Sequence, residues 1–277
     1  MSYSDSHIHL VDYSEVGVEN LLAKMAARDI GLAVSVATSV DSSEASLKLA
    51  RRHSSIVPAI GIHPWFADRF DAAARTRLEE LAASGNAKML GEIGLDYSPP
   101  DALLPGHPPG VALPPRVKTP ELPSVWPSPE VQREVFVFQL GLAKRYVLPV
   151  NLHYSHAHKE ILELLWDPEY AGISGIAHDF EGDPVAMREW LEAGFLIALS
   201  SHRLVADPMP YLVDVVREIP LDRFVVESDA NPMMSPDKGS LEVMPVLQRM
   251  AEIRGVEPET LASMATANLK RLLNLSA

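Results

Sequence analysis

The chain has no cysteine in 277 residues. That excludes a disulfide framework, a thiolate metal site and a cysteine nucleophile. It has no apolar run of about 18 residues, so no membrane span is expected. The N-terminus shows no basic-then-apolar leader, and a cytoplasmic location is the expectation. Positive charge is also short: 24 Lys and Arg face 37 Asp and Glu, a net charge of −13. Such a balance argues against a protein that coats nucleic acid with a broad basic surface. It leaves room for a nuclease whose bound cations offset the local field.

What is present is alternation. Short apolar runs near 3–9, 32–37, 56–62, 87–93, 148–153, 174–178, 195–200 and 223–227 read as strands. Helical patterns follow each, near 16–28, 41–53, 69–84, 129–146, 157–166, 184–193, 208–218 and 239–254, with a last helix over 258–273. Eight strand-then-helix units predict a closed parallel (β/α)8 TIM barrel, with a doubly wound open sheet as the structural rival. The whole chain, 1–277, reads as a single domain. Asp41 or Ser42 is expected to cap the second helix, Asp183 with Pro184 the sixth and Asp207 with Pro208 the seventh. Gly31 and Gly194 are expected where helices turn into the next strand. One stretch breaks the rhythm: residues 98–129 hold eleven of the 23 prolines. It reads as an extended insertion after strand 4, on the C-terminal face of the barrel.

The residues that carry chemistry cluster at strand ends. His7 and His9 sit two apart on the first strand, so both imidazoles point to one face. Glu92, His153, His178 and Asp229 close later strands. Barrel active sites assemble from the C-terminal ends of several strands, and imidazole with carboxylate suits first-row divalent ions. Six donors exceed one tetrahedral site and suit two ions. Glu92 is then the bridge, with His7, His9 and Asp229 on one ion and His153 and His178 on the other. His63, His156, His202 and Arg203 lie near the same mouth and are candidates to contact substrate. His53 and His107 read as solvent residues.

These motifs resemble those of the TatD family of metal-dependent hydrolases, barrel enzymes of the wider amidohydrolase group. SDSHIHL is similar to the family's D-x-H-x-H opening, AIGIHP to its third-strand motif and MLGEIGLDY to the stretch with the bridging glutamate. LPVNLHYSH and GIAHDF resemble the stretches carrying the strand-five and strand-six histidines. FVVESDANP resembles the acidic motif of strand eight, and TANLKRLLNL the closing helix. Trp65, Asp179 and Ser228 depart from the usual residues at their positions. The resemblance implies a dinuclear site of two divalent ions (zinc, manganese or magnesium) on His7, His9, Glu92, His153, His178 and Asp229. It also implies phosphodiester hydrolysis, as in a 3′–5′ exonuclease on single-stranded DNA. Asp229, touching one ion, and the bridging Glu92 are the expected catalytic carboxylates. Alternatives stay open: an amide, ester or lactone hydrolase acting on a small molecule, a deacylase of mischarged aminoacyl-tRNA, or a barrel that only binds. The sequence identifies no protein partner.

Overall fold

The computed structural model describes residues 3–98, 126–206, 208–233 and 235–276. Eight parallel strands pair in sequence order: β1 (Tyr3–Ile8), β2 (Ile30–Ser35), β3 (Ile56–Ile60), β4 (Met89–Asp96), β5 (Val150–Ser155), β6 (Gly175–Ala177), β7 (Phe195–Ser200) and β8 (Phe224–Glu227). The barrel closes where Ile8 bridges Ala230 in parallel. There, His9 N donates to Ala230 O at 3.0 Å and Asp229 N to His7 O at 3.0 Å. The (β/α)8 expectation holds, and the closure brings the first and last strands together at His7, His9 and Asp229.

The helices are α1 (Glu15–Ala27), α2 (Val40–Arg52), α3 (Ala72–Ala83), α4 (Pro129–Tyr146), α5 (His158–Trp166), α6 (Pro184–Glu192), α7 (Leu212–Glu218), α8 (Val243–Arg254) and α9 (Pro258–Leu272). Among the described residues, no helix is long and apolar enough to cross a membrane. Asp183 caps α6 as expected, accepting from Val185 N and Ala186 N. Ser39, rather than Asp41 or Ser42, caps α2; Ser42 instead occupies the third helical position and bonds back to the Ser39 backbone. Gly31 is not a helix terminator but part of β2. The left-handed turn falls on Asp29, at φ 57°, a conformation that Asp tolerates. Gly194, at φ 94°, does end its helix. Helix α7 starts only at Leu212, since Pro208 and Pro210 lack backbone donors and a proline disfavours helical backbone at the residue before it. Asp207, His107 and residues 99–125 of the expected insertion lie outside the described residues.

Side-chain parity divides the strands. One face of each strand packs outward on the helices; Leu152, Ile197, Leu199, Phe224 and Val226 join Trp190 and Val215 there. The other face points into the barrel, where Val57, Ala59, Ile176, Ala198 and Val225 form an apolar layer with Leu269 of α9. Two residues further along the same strand faces stand His178, Ser200 and Glu227, and beyond Ala59, two steps of the same period reach His63. The apolar layer is thus the floor of a polar pocket, and strand pitch alone lifts the polar residues above it.

A carboxylate shared between imidazoles

Glu92 lies at the centre of this pocket. Its strand runs unusually close to β5: a Cβ on Gly91 would fall 2.5 Å from Asn151 Cβ, and one on Gly94 only 1.9 Å from His153 O. Only glycine permits this approach, so the GEIG segment sets Glu92 directly beside His153. Backbone bonds with Ala37, in both directions at 2.8 and 3.0 Å, hold the Gly91 and Glu92 peptide groups.

The two carboxylate oxygens of Glu92 face different neighbours. Oε2 lies 3.5 Å from His7 Nε2 and 3.6 Å from His9 Nε2. Oε1 lies 2.8 Å from His153 Nδ1, 3.4 Å from His63 Nε2 and 3.6 Å from His178 Nε2. On the Oε2 side, Asp229 Oδ1 is 3.3 Å from His9 Nε2 and 3.6 Å from His7 Nε2, and the two Nε2 atoms are 3.3 Å apart. A tetrahedral cation bound at about 2.0–2.1 Å spaces neighbouring donors about 3.3–3.4 Å apart. The Oε2 side therefore has the spacing of a cation's ligands, at the long end of the hydrogen-bond range. Donor atoms of His63, Glu92 and His153 form a second group within 4.8 Å of one another. His178 belongs to a third such group, with His7 and Glu227.

The atoms behind each ring decide what it presents to the pocket. His7 Nδ1 donates to Asn151 Oδ1 at 2.9 Å, while Asn151 Nδ2 donates to Ser6 O. That network fixes the amide and leaves His7 Nε2 with its lone pair inward. His178 Nδ1 lies 2.8 Å from Glu227 Oε1, an ion-pair contact outside hydrogen-bond geometry, and Nε2 is the nitrogen that faces Glu92. Asp96 Oδ2 stands 3.0 Å from His153 Nε2, leaving Nδ1 for Glu92. His63 differs, since its Nδ1 accepts from Trp65 N at 3.2 Å. Neutral His63 then carries its proton on Nε2 and presents a donor, not a lone pair, to Glu92.

Electrostatics follow the same layout. Burial alone would depress His9, but the Asp229 hydrogen bond and the charges of Glu92 and Asp229 outweigh it and raise the imidazole to about 9. His153 also rises to about 9, burial being outweighed by Asp96 and Glu92. His178 is pushed well up, against burial, mainly by the charge of Glu227. Burial opposes ionisation of Glu92, yet the surrounding histidines hold it well below the usual carboxylate range. Asp229 is held down in the same way by His9 and His178. His63 is the exception: burial lowers it and keeps it neutral.

All six residues expected as metal ligands thus converge. Of the expected substrate contacts, His63 is buried at the centre rather than at the rim. His156 is on the exposed loop after β5, at φ 55°, and makes no ion pair with the cluster. His202 lies in the turn after β7, its Nδ1 buried with no hydrogen-bond partner among the described residues. Arg203 is engaged already, 2.8 Å from Asp179 Oδ2 and 3.0 Å from Glu181 Oε2. His53 pairs with Glu19 at 3.5 Å, far from the pocket in sequence and on the helical ring.

Four residues were missed by sequence reasoning: Asp5, Asn151, Glu227 and Asp96. The first three each precede a candidate by two positions on the same strand face, a signal that period-two reading could have used. Asp5 is fully buried, accepts from His7 N, Ser228 N and Ser228 Oγ at 3.1, 3.0 and 2.7 Å, and ties β1 to the start of the Asp229 turn. Burial, partly offset by Ser240 and Ser228, raises its carboxyl to about 6.

The sequence profile of the TatD related DNase family matches residues 4–274. The chain is 29% identical over 283 residues to an uncharacterized metal-dependent hydrolase, YcfH, of Escherichia coli K12, covering 99% of this chain and 96% of that protein. It is 26% identical over 250 residues to the 3′–5′ ssDNA/RNA exonuclease TatD of the same organism, covering 86% of each. Among solved structures, the E. coli TatD homologue YjjV superposes with a TM-score of 0.80 at 22% identity, covering 99% of this chain and 98% of that one.

Proposed function

The chain belongs to the TatD related DNase family, a group of metal-dependent hydrolases acting on ester bonds, and from that premise we propose that it cleaves phosphodiesters of single-stranded nucleic acid from the 3′ end using two divalent ions. His7, His9 and Asp229 would hold one ion, His153 and His178 the other, and Glu92 would bridge them. The observation that carries this reading is the division of the Glu92 carboxylate, one oxygen per group of imidazoles. The inward Nε2 atoms of His7 and His178, and the near-tetrahedral donor spacing on the Oε2 side, fit a cation of the zinc or manganese type. His63 presents Nε2–H to Glu92 and is assigned as a donor that fixes the bridging carboxylate, not as a ligand.

When bound, the ions supply Lewis acidity toward the phosphoryl group and the attacking water. The protein's own groups do the rest. Asp229, ionised in the resting protein, receives the proton that the attacking water loses as its oxygen bonds to phosphorus and the bond to the terminal nucleotide breaks. Asn151, Glu227 and Asp96 keep His7, His178 and His153 aimed inward through their outer nitrogens. The name of the E. coli exonuclease relative supports the choice of single-stranded substrate.

The test is digestion of 3′-labelled single-stranded DNA with manganese or magnesium and a chelator control. Label released with metal, and lost with chelator, supports the reading. Intact DNA alongside metal-dependent hydrolysis of a small ester or lactone would overturn the substrate and leave the metal chemistry standing.

A further inference from the structure

One indole, Trp65, stands beside the histidines on the Oε1 side of Glu92, a second, Trp126, packs against it, and neither ring has a part in the chemistry above. Trp65 lies in the 3-10 turn Pro64–Arg69 after β3. Trp126 stands just before the Ser128 cap of α4. Their ring centroids are 5.2 Å apart, with planes tilted by 40°. The Trp65 ring is edge-on to His63 at 4.8 Å and lies 6.3 Å from His153. Both indoles are half-buried, so each keeps some open surface.

Their polar atoms are used differently. Trp65 Nε1 donates to Asp96 Oδ2 at 2.6 Å, on the same oxygen that faces His153. That bond fixes the Trp65 plane before anything binds. Trp126 Nε1 is buried and has no acceptor among the described residues.

We propose that Trp65 and Trp126 form a stacking subsite for the base of the terminal nucleotide, and that this subsite makes the substrate a nucleotide rather than a simple phosphate ester. The proposal rests on the phosphodiesterase reading. A fixed aromatic face accepts any base, because every base has a π-face, and base-on-aromatic stacking needs no sequence match. The net charge of −13 argues against a broad basic surface that grips a polyanion. Affinity for a single strand must then come from a few local contacts, and stacking is the one that salt does not screen.

The experiment compares oligonucleotides whose 3′-terminal residue carries a base or is abasic, in the wild type, Trp126→Ala, Trp126→Phe and Trp65→Phe. The wild type should cut the base-bearing end with kcat/KM about tenfold or more above the abasic end, the scale of one stacked base. Trp126→Ala should bring the ratio close to one, and the Phe variants should restore most of it. Equal rates on both ends in the wild type, or a ratio that survives Trp126→Ala, overturns the subsite while leaving the nuclease reading intact. If neither end is cut, the nuclease reading has failed, and indole fluorescence decides the subsite alone. Quenching by dAMP, absent with deoxyribose 5-phosphate and lost in Trp126→Ala, upholds it; an equal response or none overturns it.

Discussion

The two sides of Glu92 are built differently, although one carboxylate serves both. On the Oε2 side, His7, His9, Asp229 and Glu92 stand 3.3–3.6 Å apart, too far for strong hydrogen bonds and evenly spaced. On the Oε1 side, His153 is already bonded, 2.8 Å from Glu92 and 3.0 Å from Asp96. A cation entering the first side displaces mainly the proton held by His9. One entering the second must also break a short charge-assisted hydrogen bond. If two ions bind as proposed, the first side should therefore fill before the second.

The largest effect should come from removing what the sides share. Glu92→Ala should abolish binding of both ions and lower kcat/KM by about 10³-fold or more, the scale of losing a principal charge stabiliser. Single-sided changes break the comparison more sharply. Asp229→Asn should cost the tighter ion, whereas His153→Ala should cost only the weaker, both counted by calorimetric titration. Loss of both ions from His153→Ala would contradict the independence of the sides.

Next in size are the residues behind the rings. Glu227→Gln and Asn151→Ala should each weaken metal binding by about 10–100-fold, Glu227→Gln on the second side and Asn151→Ala on the first. Asp96→Asn removes a charge that holds His153 protonated, so the pH at which the second ion loads should shift downward.

A smaller effect concerns the metal-free protein. His9 and His153 titrate at about 9 in the fold against roughly 6.5 in an unfolded chain. Their raised values contribute stability that is fully present below about 6.5 and lost as pH rises through 9. Thermal melts of metal-free protein should fall in Tm across that window. Melts of loaded protein should not, because bound ligands are already deprotonated. The smallest expected effect lies away from the site: Ser39→Ala should cost about 1 kcal/mol through loss of the α2 cap, with metal binding unaffected.

Much of this was legible in the chain. Period-two spacing put His7 and His9 on one face, and the ends of apolar runs pointed to Glu92, His153, His178 and Asp229, although β4 runs on past Glu92 to Asp96 and β5 past His153 to Ser155, so only His178 and Asp229 follow the ends of their strands. Less legible was anything set by contact between strands. The backing of His178 by Glu227 and of His153 by Asp96 depends on tautomer and ring direction, which no spacing encodes. Arg203 read as a candidate substrate contact near the mouth, but Asp179 and Glu181 already engage it. The pairing of Trp65 with Trp126 joins positions far apart in sequence, and composition gave no hint of it.

Anomalous diffraction from crystals soaked in manganese tests the central claim most directly. Two peaks within about 4 Å of each other, with Glu92 between them, His7, His9 and Asp229 around one and His153 and His178 around the other, is the predicted result. A single peak, or a Glu92 that touches only one ion, would contradict it.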